Sequence, residues 1–209
     1  MTDPSTFRGP GAVQPDQTTC GSSCLVMSRM INHPAYAKYV ATGYDPATAA
    51  TDARSPRQRF ADQSLEMHER TNAGTDRAGN RQMRWPKRYG TQPWALANEM
   101  SAEGGSGVPG TTYQVDAVRF EDSGSSFDKM VGASRAGHTV PVYVGNKIRP
   151  GHIVLVTATD GDSLTFYEPS SGRTVNVTRD QWQQDQINGL GGWSRPWAIV
   201  VPRAGVSGG

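Results

Sequence analysis

The chain has 209 residues, of which 21 are Lys or Arg and 19 are Asp or Glu, so its formal net charge at pH 7 is +2. This length predicts one domain whose core needs neither disulfides nor a structural metal. A charge so close to zero, without a long basic run, argues against a protein that binds nucleic acid by neutralising phosphates. No apolar stretch approaches the roughly 18 residues of a membrane span. The first residues also lack a secretory signal peptide, so we expect no membrane span and either a cytoplasmic location or export by a signal-independent route.

The first half of the chain is helical in its hydrophobic spacing. A helix is predicted from Cys20 to Ile31. Pro34, which lies beyond Ile31, ends the hydrophobic pattern. Two further helices are predicted over 57–71, with Phe60, Leu65 and Met67 on its apolar face, and over 92–103.

The second half changes to the alternation that is typical of strands. Here the sequence predicts a helix over 125–136 with Ser125 or Ser126 as its cap, a tight turn over 160–162, and strands over 112–120, 139–144, 152–159, 163–167, 173–177 and 197–201. Helices followed by a mostly antiparallel sheet indicate the α+β class, with the helical part packed on the sheet.

We expect a flexible arm over 1–12, a single domain over 13–203 and a flexible tail over 204–209. The stretch at about 34–110 is expected to be a polar helical insertion, of which about 41–90 is surface.

Cys20 is the strongest candidate for a reactive group. The start of a helix carries partial positive charge and free N–H groups, which stabilise a thiolate. Gly21 lets the backbone approach a substrate closely. Cys24 lies beside Leu25 and fits a buried core position instead. The four-residue separation argues against a disulfide, and two Cys without a partner pair do not form a zinc site.

A histidine and a carboxylate follow on two neighbouring strands. His152 opens a continuous apolar strand, where the sheet would hold it rigidly as a base for the thiol; His138 is its rival. Glu168 ends the next strand, and the hairpin would return it to the side of His152, where a carboxylate can fix the ring tautomer. The alternative for Glu168 is an ordinary turn residue. Asp160 and Asp162 lie in the turn at the far end of the hairpin.

An amide side chain near Cys20 could complete the site. Gln14, six residues before Cys20, could donate to the oxygen of a tetrahedral intermediate together with the Cys20 N–H. Gln17 is a competing candidate for this donor.

Tryptophan is the other conspicuous feature of the sequence. Trp94 and Trp197 are expected in the core. Trp193 lies in a glycine-rich loop, where it either packs or lines a cleft.

Three motifs together resemble the peptidase C39-like branch of the papain-like cysteine peptidases. They are Gln14 followed by Cys20-Gly-Ser-Ser-Cys24, then Gly151-His152-Ile-Val-Leu-Val, then Phe166-Tyr-Glu168-Pro-Ser-Ser-Gly172. The resemblance implies a papain-like fold and cleavage of peptide bonds through a thioester, without a cofactor or metal. In that family the Gln is the oxyanion donor, the Cys the nucleophile, the His the base and the acid its orienting group.

The resemblance covers about the first thirty residues and 130–178. Three features depart from the family. The acid is Glu where the family usually has Asp. The lysine motif of the phosphate-binding loop that a transporter of this family would carry is missing, and the stretch 34–110 has no counterpart in the leader peptidases of the family.

Two other functions fit the same residues. The same three residues could serve a deamidase or an acyl or peptidyl transferase, such as a bacterial effector or toxin. Arg outnumbers Lys by 17 to 4, which favours a high-GC bacterial genome. The second alternative is a binding module that keeps the fold without catalysis. The expected partner of the site is a protein or peptide substrate.

Overall fold

The computed structural model describes residues 11–118 and 123–203. These residues form an α+β fold with six helices and six strands, as the sequence predicts for the class. The helices are α1 (Cys20–Asn32), α2 (Pro34–Thr42), α3 (Pro56–Thr71), α4 (Pro93–Ser101), α5 (Ser123–Arg135) and α6 (Arg179–Gln183), with a short 3-10 helix at Lys87–Tyr89. The strands are β1 (Tyr113–Asp116), β2 (Val140–Gly145), β3 (Pro150–Thr159), β4 (Ser163–Glu168), β5 (Arg173–Thr178) and β6 (Arg195–Pro202).

The six strands form one antiparallel sheet in the order β1-β6-β2-β3-β4-β5. Both of its faces are covered. Side chains alternate between the faces of a strand, so Ile153 and Leu155 of β3 pack with the core of α1–α4, while Val154 and Val156 pack with the core of α5 and α6. The strand that carries His152 is therefore held from both sides.

Helix α1 packs against β3 at its very first turn. Gly21 is required there, because a Cβ at this position would lie 2.7 Å from Ile153 Cδ1 and 2.8 Å from Thr91 Cβ. This close approach holds Cys20 beside the start of β3.

Residues of the stretch 41–90 contribute to the core, so the expectation that this stretch is surface is wrong in this respect. Phe60 and Met67 of α3 are fully buried in the core that contains α1. The buried Arg59 donates to the carbonyl of Val40 at 2.9 Å and to that of Ala41 at 3.0 Å, near the end of α2. Leu65, predicted on the apolar face, is exposed. Few apolar residues suffice here because Phe60 and Met67 both lie on the inner face of α3.

Helix α1 ends at Asn32, before Pro34, so the prediction that the pattern stops at Pro34 is confirmed. The helix that follows was not predicted: Pro34 occupies the first position of α2, where a proline lacks only an N–H that would be unbonded anyway. The sequence also missed α6, whose five residues are too few for a periodic signal. None of the helices in the described ranges is both long and apolar enough to cross a membrane.

Several predicted boundaries differ from the structure. Helix α5 begins at Ser123, so Ser125 and Ser126 lie inside its first turn rather than at its cap. Strand β1 ends at Asp116, and residues 119–120 of the predicted strand lie outside the described residues. Trp94 is 40% exposed, so its prediction as a core residue is wrong.

The predicted arm and tail lie mostly outside the described residues, which exclude 1–10 and 204–209. Within the arm, Ala12 is fully buried, and its carbonyl accepts a hydrogen bond from Tyr167 at 2.7 Å. This end of the predicted arm is therefore part of the core.

Candidate active site

Cys20 is the first residue of α1, where the helix is left uncapped by a side chain. The preceding Thr19 makes no capping bond, because its Oγ1 donates to the carbonyl of Asp16 at 3.0 Å and accepts from the Asp16 N–H at 3.2 Å. The N–H groups of a first helical turn have no partner within the helix. The start of α1 therefore offers donors and a partial positive charge beside the Cys20 sulfur.

His152 connects Cys20 with Glu168. The β3–β4 register pairs Leu155 with Tyr167, which brings Glu168 near His152 on the neighbouring strand. Nε2 of His152 lies 2.7 Å from Oε1 of Glu168. The Cys20 side chain is the other polar group that acts on the ring, and it favours the protonated imidazole by raising its pKa. Because Nε2 is engaged by the carboxylate, Nδ1 is the ring nitrogen left for the thiol.

The Glu168 carboxylate is held by four further donors from the turn that follows it. Its Oε1 accepts from the Ser170 N–H at 2.9 Å, and its Oε2 accepts from Ser170 Oγ, the Ser171 N–H and Ser171 Oγ at 2.8, 2.9 and 2.6 Å. Burial raises the pKa of Glu168, but the hydrogen bonds from His152 and the two serines outweigh it and lower the pKa to about 2. The carboxylate is therefore ionised at neutral pH.

The hydrogen bond with Glu168 also acts on the imidazole of His152, whose pKa it raises. Burial lowers the pKa of His152, yet the hydrogen bonds with Cys20 and Glu168 outweigh burial and raise the pKa to about 9. At neutral pH the ring is an imidazolium, between a carboxylate and a sulfur. An imidazolium at a helix start is the environment in which protein thiols act as nucleophiles.

Cys20 and His152 lie in the wall of an open cavity of about 550 Å³. The other residues that line it come from the segment before α1, the segment that leads into α4 together with the start of α4, strands β2 and β3, and the turn between these strands. They are Gln17, Thr18, Trp85, Arg88, Tyr89, Gly90, Thr91, Gln92, Pro93, Trp94, Tyr143, Arg149, Pro150, Gly151 and Ile153.

Cys24 lies outside this cavity wall. It is fully buried, and its Sγ contacts the Ile153 carbonyl at 3.4 Å. Burial, with smaller contributions from Cys20 and Glu168, raises its pKa well above the ordinary value. Cys24 therefore stays a thiol and is inaccessible.

The two candidate glutamines occupy different places. Gln14 is tied by its N–H to the Pro169 carbonyl at 2.8 Å, and its Nε2 donates to the Asp16 carbonyl at 2.7 Å. Gln14 does not line the cavity formed by the described residues, whereas the exposed Gln17 does. The structure thus brings Gln17 to the cavity that holds Cys20 and turns the Gln14 donor elsewhere.

His138, the rival histidine, lies away from the cavity. Its Nδ1 is 3.0 Å from the Tyr113 hydroxyl, and burial lowers its pKa. Trp193 packs against Gly151 without lining the cavity: a Cβ on Gly151 would lie 2.2 Å from the Trp193 ring. Sequence reasoning missed the cavity residues Thr91 and Gln92, which belong to no repeated pattern.

The described residues contain no group of three or more His, Cys, Asp or Glu that could hold a metal ion. No protein-family model matches the chain, and no curated protein matches it either.

Proposed function

We propose that the chain is a cysteine peptidase with a papain-like fold, in which Cys20 is the nucleophile, His152 the acid and base, and Glu168 the group that orients His152. The observation that carries this proposal is the placement of Cys20 and His152 in the wall of one open cavity, with the ring of His152 hydrogen-bonded to the Glu168 carboxylate. The order of the residues along the chain and the position of the thiol at a helix start support the papain-like assignment.

The reaction follows from these contacts. The Cys20 thiolate attacks the carbonyl carbon of a peptide bond, and the carbonyl π electrons move to the oxygen. The Cys20 N–H donates to this oxyanion. The His152 imidazolium gives its Nδ1 proton to the leaving nitrogen as the C–N bond breaks, which leaves a thioester and a free amine.

Water completes the cycle. Neutral His152 takes a proton from a water molecule, whose oxygen attacks the thioester carbon. The C–S bond then breaks, the acid leaves, and the thiolate and imidazolium are restored. Throughout, Glu168 keeps the Nε2 proton in its hydrogen bond, so that Nδ1 stays directed at the sulfur.

A randomised peptide library tests the proposal directly. The wild-type protein is expected to create new peptide termini, detected by mass spectrometry. Cys20→Ser should lower the rate by at least about 10³-fold, whereas Cys24→Ser, the same substitution at the buried thiol, should keep most of the activity. A mass gain of one dalton at Gln without new termini would instead identify a deamidase. Cleavage that persists in Cys20→Ser, or no product of either kind, would refute the proposed mechanism.

The second oxyanion donor can be identified with a matched pair of variants. Removal of a true donor costs about 10²–10³ in kcat. Because Gln17 lines the cavity and Gln14 does not, we expect this loss in Gln17→Ala. The family resemblance predicts it in Gln14→Ala, and steady-state kinetics of the two variants distinguishes the alternatives.

A further inference from the structure

Two buried polar side chains in the cavity wall lack hydrogen-bond partners. Both amide atoms of Gln92, which is 2% exposed, and the hydroxyl of Thr91 have no partner among the described residues. An unpaired polar group inside a protein destabilises the fold, so its retention indicates a partner that arrives with a ligand.

Gln92 also indicates the chemistry of that ligand. Its amide offers donors and an acceptor close together, which is the complement of a peptide unit with one C=O and one N–H. Gln92 lines the same cavity as Cys20, and Thr91 beside it packs against Gly21. A peptide main chain laid along Gln92 would therefore pass the sulfur.

An aromatic wall lies next to this polar pair. Trp85 makes edge contacts with Tyr89 and with Trp94, at centroid distances of 5.9 and 6.3 Å. Tyr89 is 62% exposed and Trp94 is 40% exposed, although all three rings line the cavity. Exposed aromatic rings grouped at a cavity indicate a surface for an apolar side chain of a ligand.

The fixed charges of the cavity are all positive. Arg88 and Arg149 line it, and no Asp or Glu does so within the part of the chain that the structure describes. Neither arginine forms an ion pair with a described acidic residue; the Arg88 guanidinium lies 4.7 Å from the centre of the Tyr89 ring. Arginine binds carboxylates through paired N–H donors, so the charge of the cavity favours an acidic ligand.

We infer that the cavity selects peptide segments in which an aromatic or large aliphatic residue lies beside an acidic residue. Gln92 pairs with the peptide main chain. Trp85 and Trp94 cover the apolar side chain, and Arg88 and Arg149 bind the carboxylate. That the selected segment flanks the bond attacked by Cys20 rests on the proposed peptidase function, whereas its selective binding does not.

Binding to an inactive variant separates the two questions. Immobilised Cys20→Ser is mixed with random octapeptides that are acetylated and amidated at their ends, and the retained peptides are identified by mass spectrometry. We expect enrichment of Asp or Glu next to Trp, Tyr, Phe or Leu. Absence of cleavage by the wild type would then count against the peptidase alone, and absence of this enrichment would overturn the present inference.

Charge-neutral variants test the role of the arginines. Adding Arg88→Gln and Arg149→Gln should lower the affinity for a retained acidic peptide by about 3- to 30-fold, since each partly exposed ion pair contributes modestly. Arg57→Gln, at an exposed position of α3 outside the cavity, should leave the affinity unchanged. Equal affinity of the double arginine variant, or a preference for basic peptides, would refute the assignment.

Gln92→Met tests whether the amide serves binding or folding. Methionine is similar in length but has no unpaired amide, so the urea midpoint of unfolding should stay equal or rise. Affinity for the same peptide should fall by about tenfold, the value of one or two lost hydrogen bonds. A variant that unfolds more easily and binds normally would show that Gln92 is only structural.

Discussion

Acid should weaken the fold through Glu168 in a measurable way. The folded-state pKa of this carboxyl is about 2, against an ordinary value of 4.5. Because the folded value is the lower one, ionised Glu168 stabilises the fold fully above pH 4.5, and this contribution is lost as the pH falls towards 2. At about 1.4 kcal/mol for each pH unit, the whole contribution is about 3 kcal/mol, of which about 2 kcal/mol is lost by pH 3. Glu168 is only 3% exposed, so solvent screening reduces this value little.

Urea unfolding at half-unit steps from pH 5.5 to 3 measures the effect. The free energy of unfolding of the wild type should exceed that of Glu168→Gln near pH 5.5, and the difference should shrink by about 2 kcal/mol by pH 3. Comparison with the variant cancels the titration of all other carboxyl groups. Ser171→Ala, which removes the 2.6 Å donor to Oε2, should give an intermediate slope. Parallel curves for wild type and Glu168→Gln would refute the argument.

Three other outcomes are expected. The proposed peptidase rate should fall above about pH 9, because His152 loses the proton that it gives to the leaving nitrogen; a rate that still rises at pH 10 would contradict this role. Gly21→Ala should lower the free energy of unfolding by about 1–3 kcal/mol through overpacking. Gly132→Ala, at a helical position with no atom within 4 Å of the added Cβ, should instead raise it by about 0.5–1 kcal/mol. Equal effects of the two substitutions in urea unfolding would show that Gly21 is not confined. Iodoacetamide at pH 7 should modify Cys20 at least about tenfold faster than the buried Cys24, as measured by peptide mass spectrometry, and equal rates would mean that the cavity does not expose the sulfur.

The parts of the site that local patterns specify were predictable from the sequence. The start of α1 at Cys20 follows from helical spacing, and the return of Glu168 towards His152 follows from a short hairpin whose strand lengths can be counted. The structure brings these three residues together, while their catalytic roles stay predictions. The position of Gln14 could not be predicted in the same way, because a side-chain rotation towards the Asp16 carbonyl leaves no trace in residue spacing.

The cavity wall was beyond sequence reasoning for a different reason. Thr91 meets Gly21 across about seventy positions of the chain, and no periodic pattern records such a contact. Trp94 was predicted to be buried because tryptophan usually is. In the fold it lies at the cavity, where an exposed ring costs stability but is available to a ligand.

One part of the site is held in place by contacts with the core, and another part consists of exposed side chains at the cavity. The segment before α1 is tied to β4 by the Ala12–Tyr167 hydrogen bond and to the turn after β4 by the Gln14–Pro169 hydrogen bond. The first turn of α1 packs against β3 at Gly21. Changes in that region would disturb the core. Tyr89 and Trp94 instead present exposed rings to the cavity, so their substitution should change which ligand binds while Glu168, His152 and Cys20 stay in place.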